Sequence, residues 1–135
     1  LKPVLLVVAA VIRQMDDAEK KVLIVRRGPS QSNAGFWEFP GGKVEPQETP
    51  EAALVREIQE ELALVIQVGR YLGEERWDAG SKTIALQVFE SLVADISTFR
   101  LTEHDAHRWV NVDQIDPQLL SVPDRPFLKL LRGGI

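Results

Sequence analysis

The chain has 135 residues, 44% hydrophobic and 27% charged, with net charge −4 and no cysteine. That is the make-up of a single globular domain, 1–135, with a core of its own, and it excludes both a disordered tail and a membrane span. Disulfides, thiolate metal sites and cysteine nucleophiles are excluded, and the acidic balance argues against a basic surface for duplex nucleic acid.

Val4 to Ile12 is an apolar run of nine residues behind Lys2-Pro3. A secretory leader has a core like this, but the polar turn Arg13 to Asp17 follows in place of a small-residue cleavage pattern, so a buried strand is predicted. Val22 to Val25 is a second apolar run, and Asp16 to Glu19 is short enough to let the two strands pair as a hairpin. Arg26 to Ala34 is loop chemistry, and Phe36-Trp37-Glu38-Phe39-Pro40-Gly41-Gly42 sets aromatics directly against a proline and two glycines. Thr49 and Pro50 open a predicted helix over 50–62, Thr49 as N-cap and Pro50 where a missing N–H is harmless. Val55, Ile58 and Leu62 recur at helical spacing and are expected to face the core.

Val65 to Trp77 reads as one bent strand with irregularities at Gly69 and Gly73. Asp78 to Ser81 is a turn, and Thr83 to Phe89 alternates, with Ile84, Leu86 and Val88 on one face. Arg108 to Val112 is a last short strand. Asp124 to Leu131 is a closing helix, with Pro126 in its first turn and Phe127, Leu128, Leu130 and Leu131 available to pack. Strands around one central helix, closed by another, predict a mixed α/β sandwich.

The densest chemistry is Arg56-Glu57-Ile58-Gln59-Glu60-Glu61. At about 100° per residue, Glu57, Glu60 and Glu61 fall on one helix face. Such a face is either solvated surface or a site for a hard cation, which turns the repulsion of clustered carboxylates into affinity. The loop before it, Gly41-Gly42-Lys43-Val44-Glu45, lets backbone pass close to a ligand.

Taken together, the string runs Gly42, five residues, Glu48, seven residues, then Arg56-Glu57-Ile58-Gln59-Glu60-Glu61. It resembles the signature of the Nudix hydrolases. One departure is Ala63, where the family pattern has a glycine that ends the helix in a left-handed turn; this bears on stability and leaves the carboxylates in place. Arg26-Arg27, Phe39 to Lys43, Glu103 ahead of Trp109, and Asp124-Arg125-Pro126 extend the likeness to the MutT-type branch, which includes 8-oxo-dGTP diphosphatases and CTP pyrophosphohydrolases. The resemblance implies the Nudix α/β/α sandwich around a central mixed sheet.

It also implies a Mg²⁺-dependent (or Mn²⁺-dependent) hydrolase of nucleoside triphosphates, releasing a monophosphate and pyrophosphate. Metal ligands would be Glu57, Glu60, Glu61, Glu103 and the carbonyl of Gly41, and Glu57 would also be the general base. Arg56 would orient the glutamates, with Glu60 as its one partner a helix turn away, and Glu48 would support them. Arg27, Lys43 and Lys82 are candidates for phosphate contact, and Phe39 for the base or sugar, with core packing as the alternative. His104 and His107 read as packing or surface residues. Asp124 either reads the base or caps the closing helix. Oxidised guanine nucleotides such as 8-oxo-dGTP are the leading substrate expectation, CTP or dCTP the second, and a silent nucleotide sensor the reading from another class. An isoprenoid-diphosphate isomerase would need a cysteine. The expected state is a cytoplasmic monomer or homodimer, off the membrane.

Overall fold

The computed structural model describes residues 1–133. Seven strands, two α-helices and two short 3₁₀ turns follow in order: β1 (Val4–Gln14), β2 (Val22–Arg27), β3 (Trp37–Glu38), β4 (Gly41–Lys43), α1 (Pro50–Leu62), β5 (Ile66–Asp78), β6 (Thr83–Val93), β7 (His104–Val110), turns at Val112–Gln114 and Val122–Asp124, then α2 (Arg125–Leu131). They form a four-stranded mixed sheet, β4-β1-β6-β5, and a three-stranded antiparallel sheet, β3-β2-β7.

The expected hairpin between the first two strands does not form. β1 runs parallel to β6 along its whole length and antiparallel to β4, while β2 pairs with β3 and β7. β1 is apolar at consecutive positions, which suits it to burial on both faces in the middle of a sheet without choosing its partners. Val8, Ala10 and Ile12 point into one core with Leu54, Ile58 and Leu62 of α1. Ala9 and Val11 point into a second core with Phe127 and Leu128 of α2. β2 is shared in the same way, Leu23 and Val25 on the α1 side, Val22 and Ile24 on the α2 side. Two sheets faced by helices on either side make the α/β/α sandwich.

The helix α1 covers the residues expected of it. Thr49 Oγ1 accepts the Ala52 N–H at 3.1 Å, and Ala63 ends the helix at φ 54°, its N–H donating to the Gln59 carbonyl. Val55 is exposed and does not join the core; Ala53 and Leu54 do, beside Ile58 and Leu62. The strand β5 is one long element with register shifts around Gly69 and Gly73. β7 begins at His104, four residues before the expected start, because His104 to His107 carry too little apolar alternation to announce a strand. In α2, Phe127 and Leu128 are buried, Leu131 is half-buried and Leu130 is exposed. No helix among the described residues is long and apolar enough to cross a membrane.

Candidate active site

A helix leaves its last carbonyls without partners, and what satisfies them here also builds the site. The segment after β6 folds back over the end of α1. Arg100 N–H donates to the Leu62 carbonyl (2.9 Å), Thr98 Oγ1 to Ala63 (2.6 Å) and Thr102 Oγ1 to Glu61 (3.0 Å). These bonds deliver the next residue, Glu103, to Glu61 and Glu57 of the helix. Three acidic residues of one helix, Glu57, Glu60 and Glu61, and a fourth from a distant segment, Glu103, are thereby grouped at one end of the fold.

One guanidinium holds two of them, Glu57 and Glu60. Arg56 donates from Nε and Nη2 to the two oxygens of Glu48 (2.7 and 2.9 Å), from Nη1 to Glu57 Oε1 (2.7 Å), and more loosely to Glu60 (3.3 and 3.4 Å). Its Nη2 also reaches the Lys43 carbonyl at 3.0 Å, tying helix to loop. Glu60 is thus the weakest of three carboxylate partners, and the forked partner is Glu48, whose distance in sequence hides it from helix-spacing arguments. That fork holds the Glu48 carboxyl at about 2, well below the usual range, and raises the guanidinium of Arg56 still further.

The remaining acids are short of positive charge. Burial pushes the Glu57 carboxyl up, against the pull of Arg56. Burial, followed by Glu103 and Glu57, pushes Glu61 up to about 9. Glu61 Oε2 is buried with no N–H or O–H donor from other groups, so it and Glu103 can hydrogen-bond only if one carboxyl keeps a proton. A hard divalent cation fits this donor set, because it takes carboxylate oxygens and would displace that proton. Among the described residues no three acidic or imidazole groups already converge on one point; Arg56 draws Glu57 and Glu60 to itself.

Gly41 and Gly42 join this cluster to a cavity of about 800 Å³. A Cβ at Gly42 would occupy the place of the Glu57 carboxylate, and one at Gly41 would run into the Val8 carbonyl. The cavity is floored by Leu5, Val7, Ile84 and Leu86 of the mixed sheet and walled by Phe39, Asp124 and Pro126; Arg27, Lys43 and Lys82 also line it. Asp124 stands at the N-cap position of α2, but its side chain makes no capping hydrogen bond. It is buried, and Oδ2 accepts the Phe39 N–H at 3.1 Å. Burial raises its carboxyl to about 8, the Phe39 N–H opposes this, and Glu38 adds to it. Phe39 is itself almost fully buried, serving core and cavity wall at once.

The family model NUDIX domain matches residues 5–131. The chain belongs to the Nudix family. CTP pyrophosphohydrolase of Escherichia coli (strain K12) is 36% identical over 124 residues, 91% of this chain and 87% of that one. An 8-oxo-dGTP diphosphatase of Proteus vulgaris is 41% identical over 73 residues, 54% of this chain and 65% of that one. The crystal structure of a MutT protein from Methanosarcina mazei Go1 superposes with a TM-score of 0.82 at 28% identity, covering 98% of this chain and 95% of that one.

In this Nudix hydrolase the residues singled out by sequence fall into two groups. Glu48, Arg56, Glu57, Glu60, Glu61 and Glu103 form the acidic cluster; Arg27, Phe39, Gly41, Lys43, Lys82 and Asp124 line the cavity. Arg27 spends Nη1 on both oxygens of Glu38 (3.1 and 3.2 Å) and Nε on the Ser32 carbonyl. Glu38 also meets the buried His104 Nε2 at 2.9 Å. It was not among the sequence candidates, yet its charge is felt by both Glu61 and Asp124, so it bridges the two groups. The available signal was a lone acid between Trp37 and Phe39, in a strand of aromatics. His107 packs on Phe99, ring centroids 4.4 Å apart.

Proposed function

We propose that this Nudix hydrolase is a divalent-cation-dependent nucleoside triphosphate pyrophosphohydrolase, formed by a single domain over 1–135 and acting in the cytoplasm as monomer or homodimer, without duplex nucleic acid or membrane as partner. The observation that carries it is the joining, through Gly42, of a charge-starved carboxylate cluster to a roomy, mostly apolar cavity. A triphosphate and four carboxylates repel; Glu57, Glu60, Glu61, Glu103 and the Gly41 carbonyl would hold Mg²⁺, or Mn²⁺, which when bound neutralises phosphate charge and makes water more acidic.

The chain's own groups then do the positioning that phosphoryl transfer needs. Arg56 holds Glu57 by Oε1 and leaves Oε2, the oxygen beside Gly42, to take a proton from the attacking water. Water attacks the β-phosphorus, the bond to the bridging oxygen breaks, and the nucleoside monophosphate leaves with pyrophosphate as the other product. Glu48 keeps Arg56 fixed. Arg27, Lys43 and Lys82 line the path of the phosphates, and Phe39 with Asp124 faces the nucleoside.

Two substrates fit. 8-oxo-dGTP is the first reading, supported by cavity size and by a buried carboxyl that can both donate and accept below pH 8. CTP is the second, supported by the likeness to CTP pyrophosphohydrolase over nearly the whole chain. The test is pyrophosphate release from a panel including 8-oxo-dGTP, dGTP and CTP with Mg²⁺, for wild type and Glu57→Gln. Turnover in the variant should fall by about 10²-fold or more with the fold intact; equal turnover discards the assigned base. CTP outperforming 8-oxo-dGTP, with 8-oxo-dGTP no better than dGTP, replaces the first substrate with the second.

A further inference from the structure

One wall of the cavity is formed by Glu75 and Trp77, apart from the groups that face the phosphates. Glu75 and Trp77 stand two residues apart on β5 and so project from the same face of the sheet. Glu75 lies opposite Leu86, and Trp77 opposite Ile84, the residues of β6 that floor the cavity. Of the three tryptophans in the chain, Trp77 is the one that lines it. The charges beside Glu75 are already matched: Glu74 with Arg76 and Gln87, Asp78 with Lys2. Glu75 itself makes no hydrogen bond or ion pair among the described residues, although it borders a largely apolar space.

An indole that lines an apolar slot suits a flat heterocycle, and stacking of this kind tolerates any base. A carboxylate without a partner beside it is selective, because it accepts hydrogen bonds and donates none. We propose that Trp77 is the surface on which the base stacks and that Glu75 selects bases carrying an exocyclic amino group. Cytosine, adenine and guanine offer an N–H there. Uracil, and hypoxanthine at its 2-position, offer none, and a carbonyl facing Glu75 sets two acceptors against each other. The inference rests on the nucleoside triphosphate reading for its substrate class.

The experiment pairs bases that differ by one amino group: CTP against UTP, and dGTP against dITP, comparing kcat/KM with Mg²⁺. In parallel, tryptophan fluorescence of the full chain is titrated with CMP, UMP, dGMP and dIMP, which need no turnover. Wild type is expected to prefer the amino-bearing member of at least one pair, and Glu75→Gln to collapse that preference by about tenfold or more, since the amide can donate. Trp77→Leu should abolish the quench and raise KM far more than it lowers kcat. Trp77→Phe should keep KM near wild type, and it decides the matter should the leucine variant not fold. Wild type indifferent in both pairs, or Glu75→Gln with ratios unchanged, overturns the assignment of Glu75. An unaltered quench in Trp77→Leu, or a Trp77→Phe variant as impaired in KM as the leucine one, overturns the stacking surface. Monophosphates bound with the expected pattern but no triphosphate hydrolysed would retire the hydrolytic reading and leave this one standing.

Discussion

Gly42 lacks a side chain in the space that the Glu57 carboxylate fills. Gly42→Ala therefore pushes on the flexible end of Glu57 and leaves the backbone alone. A displacement of about 1 Å at a reacting group costs on the order of 10²-fold in rate. We expect kcat to fall by that order while the unfolding temperature moves little; unchanged kcat would mean that the Glu57 oxygen beside Gly42 has no part in proton transfer. Gly41→Ala is a contrast, since its Cβ would meet the Val8 backbone and part β4 from β1, so stability falls with activity. Asp124 carries a different kind of information. Its folded carboxyl titrates near 8 and its unfolded one near 3.8, so the native state holds an extra proton between those values. Stability from this group is complete below about pH 4 and is lost as pH rises through 8. Asp124→Asn keeps an oxygen for the Phe39 N–H and has no charge to bury, so urea midpoints at pH 5 and pH 8.5 should lie closer together than in wild type. A slope that persists in the variant would place its origin elsewhere.

At the scale of elements, α1 shows what a sequence discloses and what it hides. Its start, its end and the order of its acids were legible, because capping and periodicity are local physics, and Ala63 keeps at φ 54° the left-handed end that the family's glycine would adopt, where reshaping the end was the alternative. A residue with a Cβ is disfavoured there by about 1 kcal/mol. Ala63→Gly should raise stability by somewhat less than that, a gain of up to a few degrees in Tm, with kcat unchanged; a drop in Tm would mean that the alanine methyl packs more than its backbone strains. The inward face was legible only in part. Val55, Ile58 and Leu62 satisfy helical spacing, but the core lies toward Ala53 and Leu54, and only packing partners choose between adjacent stripes. Neither the Arg56–Glu48 fork nor the bonds from Thr98, Arg100 and Thr102 to the end of α1 could be read from spacing, since they join segments whose approach depends on the finished fold. Thr102→Val removes the bond to the Glu61 carbonyl that anchors Glu103. It should weaken Mg²⁺ activation, seen as a higher Mg²⁺ concentration at half-maximal rate, with little effect on the KM for nucleotide.

Across the whole molecule, the two cores meet at β1 and β2, and the charged cluster sits where α1, the glycine loop and the segment before β7 converge on that framework. The run Val4 to Ile12 announced burial, but its partners could not be foreseen, because a strand apolar on both faces pairs equally well with a near neighbour or a distant one. The fold therefore spends stability to gather Glu57, Glu60, Glu61 and Glu103 with one arginine that reaches only the first two of them, and a cation bound there should return it. Ligand binding to the native state alone adds about 2.7 kcal/mol at a hundredfold excess over Kd. Thermal unfolding in EDTA and in saturating Mg²⁺ should differ by several degrees, with the wild-type rise growing with Mg²⁺ concentration. Glu61→Gln separates the two sides of this balance. The amide mimics the protonated carboxyl that burial and Glu103 favour, so the variant in EDTA should be as stable as wild type or more so. In Mg²⁺ it lacks an anionic oxygen for the ion and should lose most of the rise. Equal rises in wild type and variant would exclude Glu61 from the cation's ligands, and a variant less stable than wild type in EDTA would show that the crowding of these acids carries no cost in the fold.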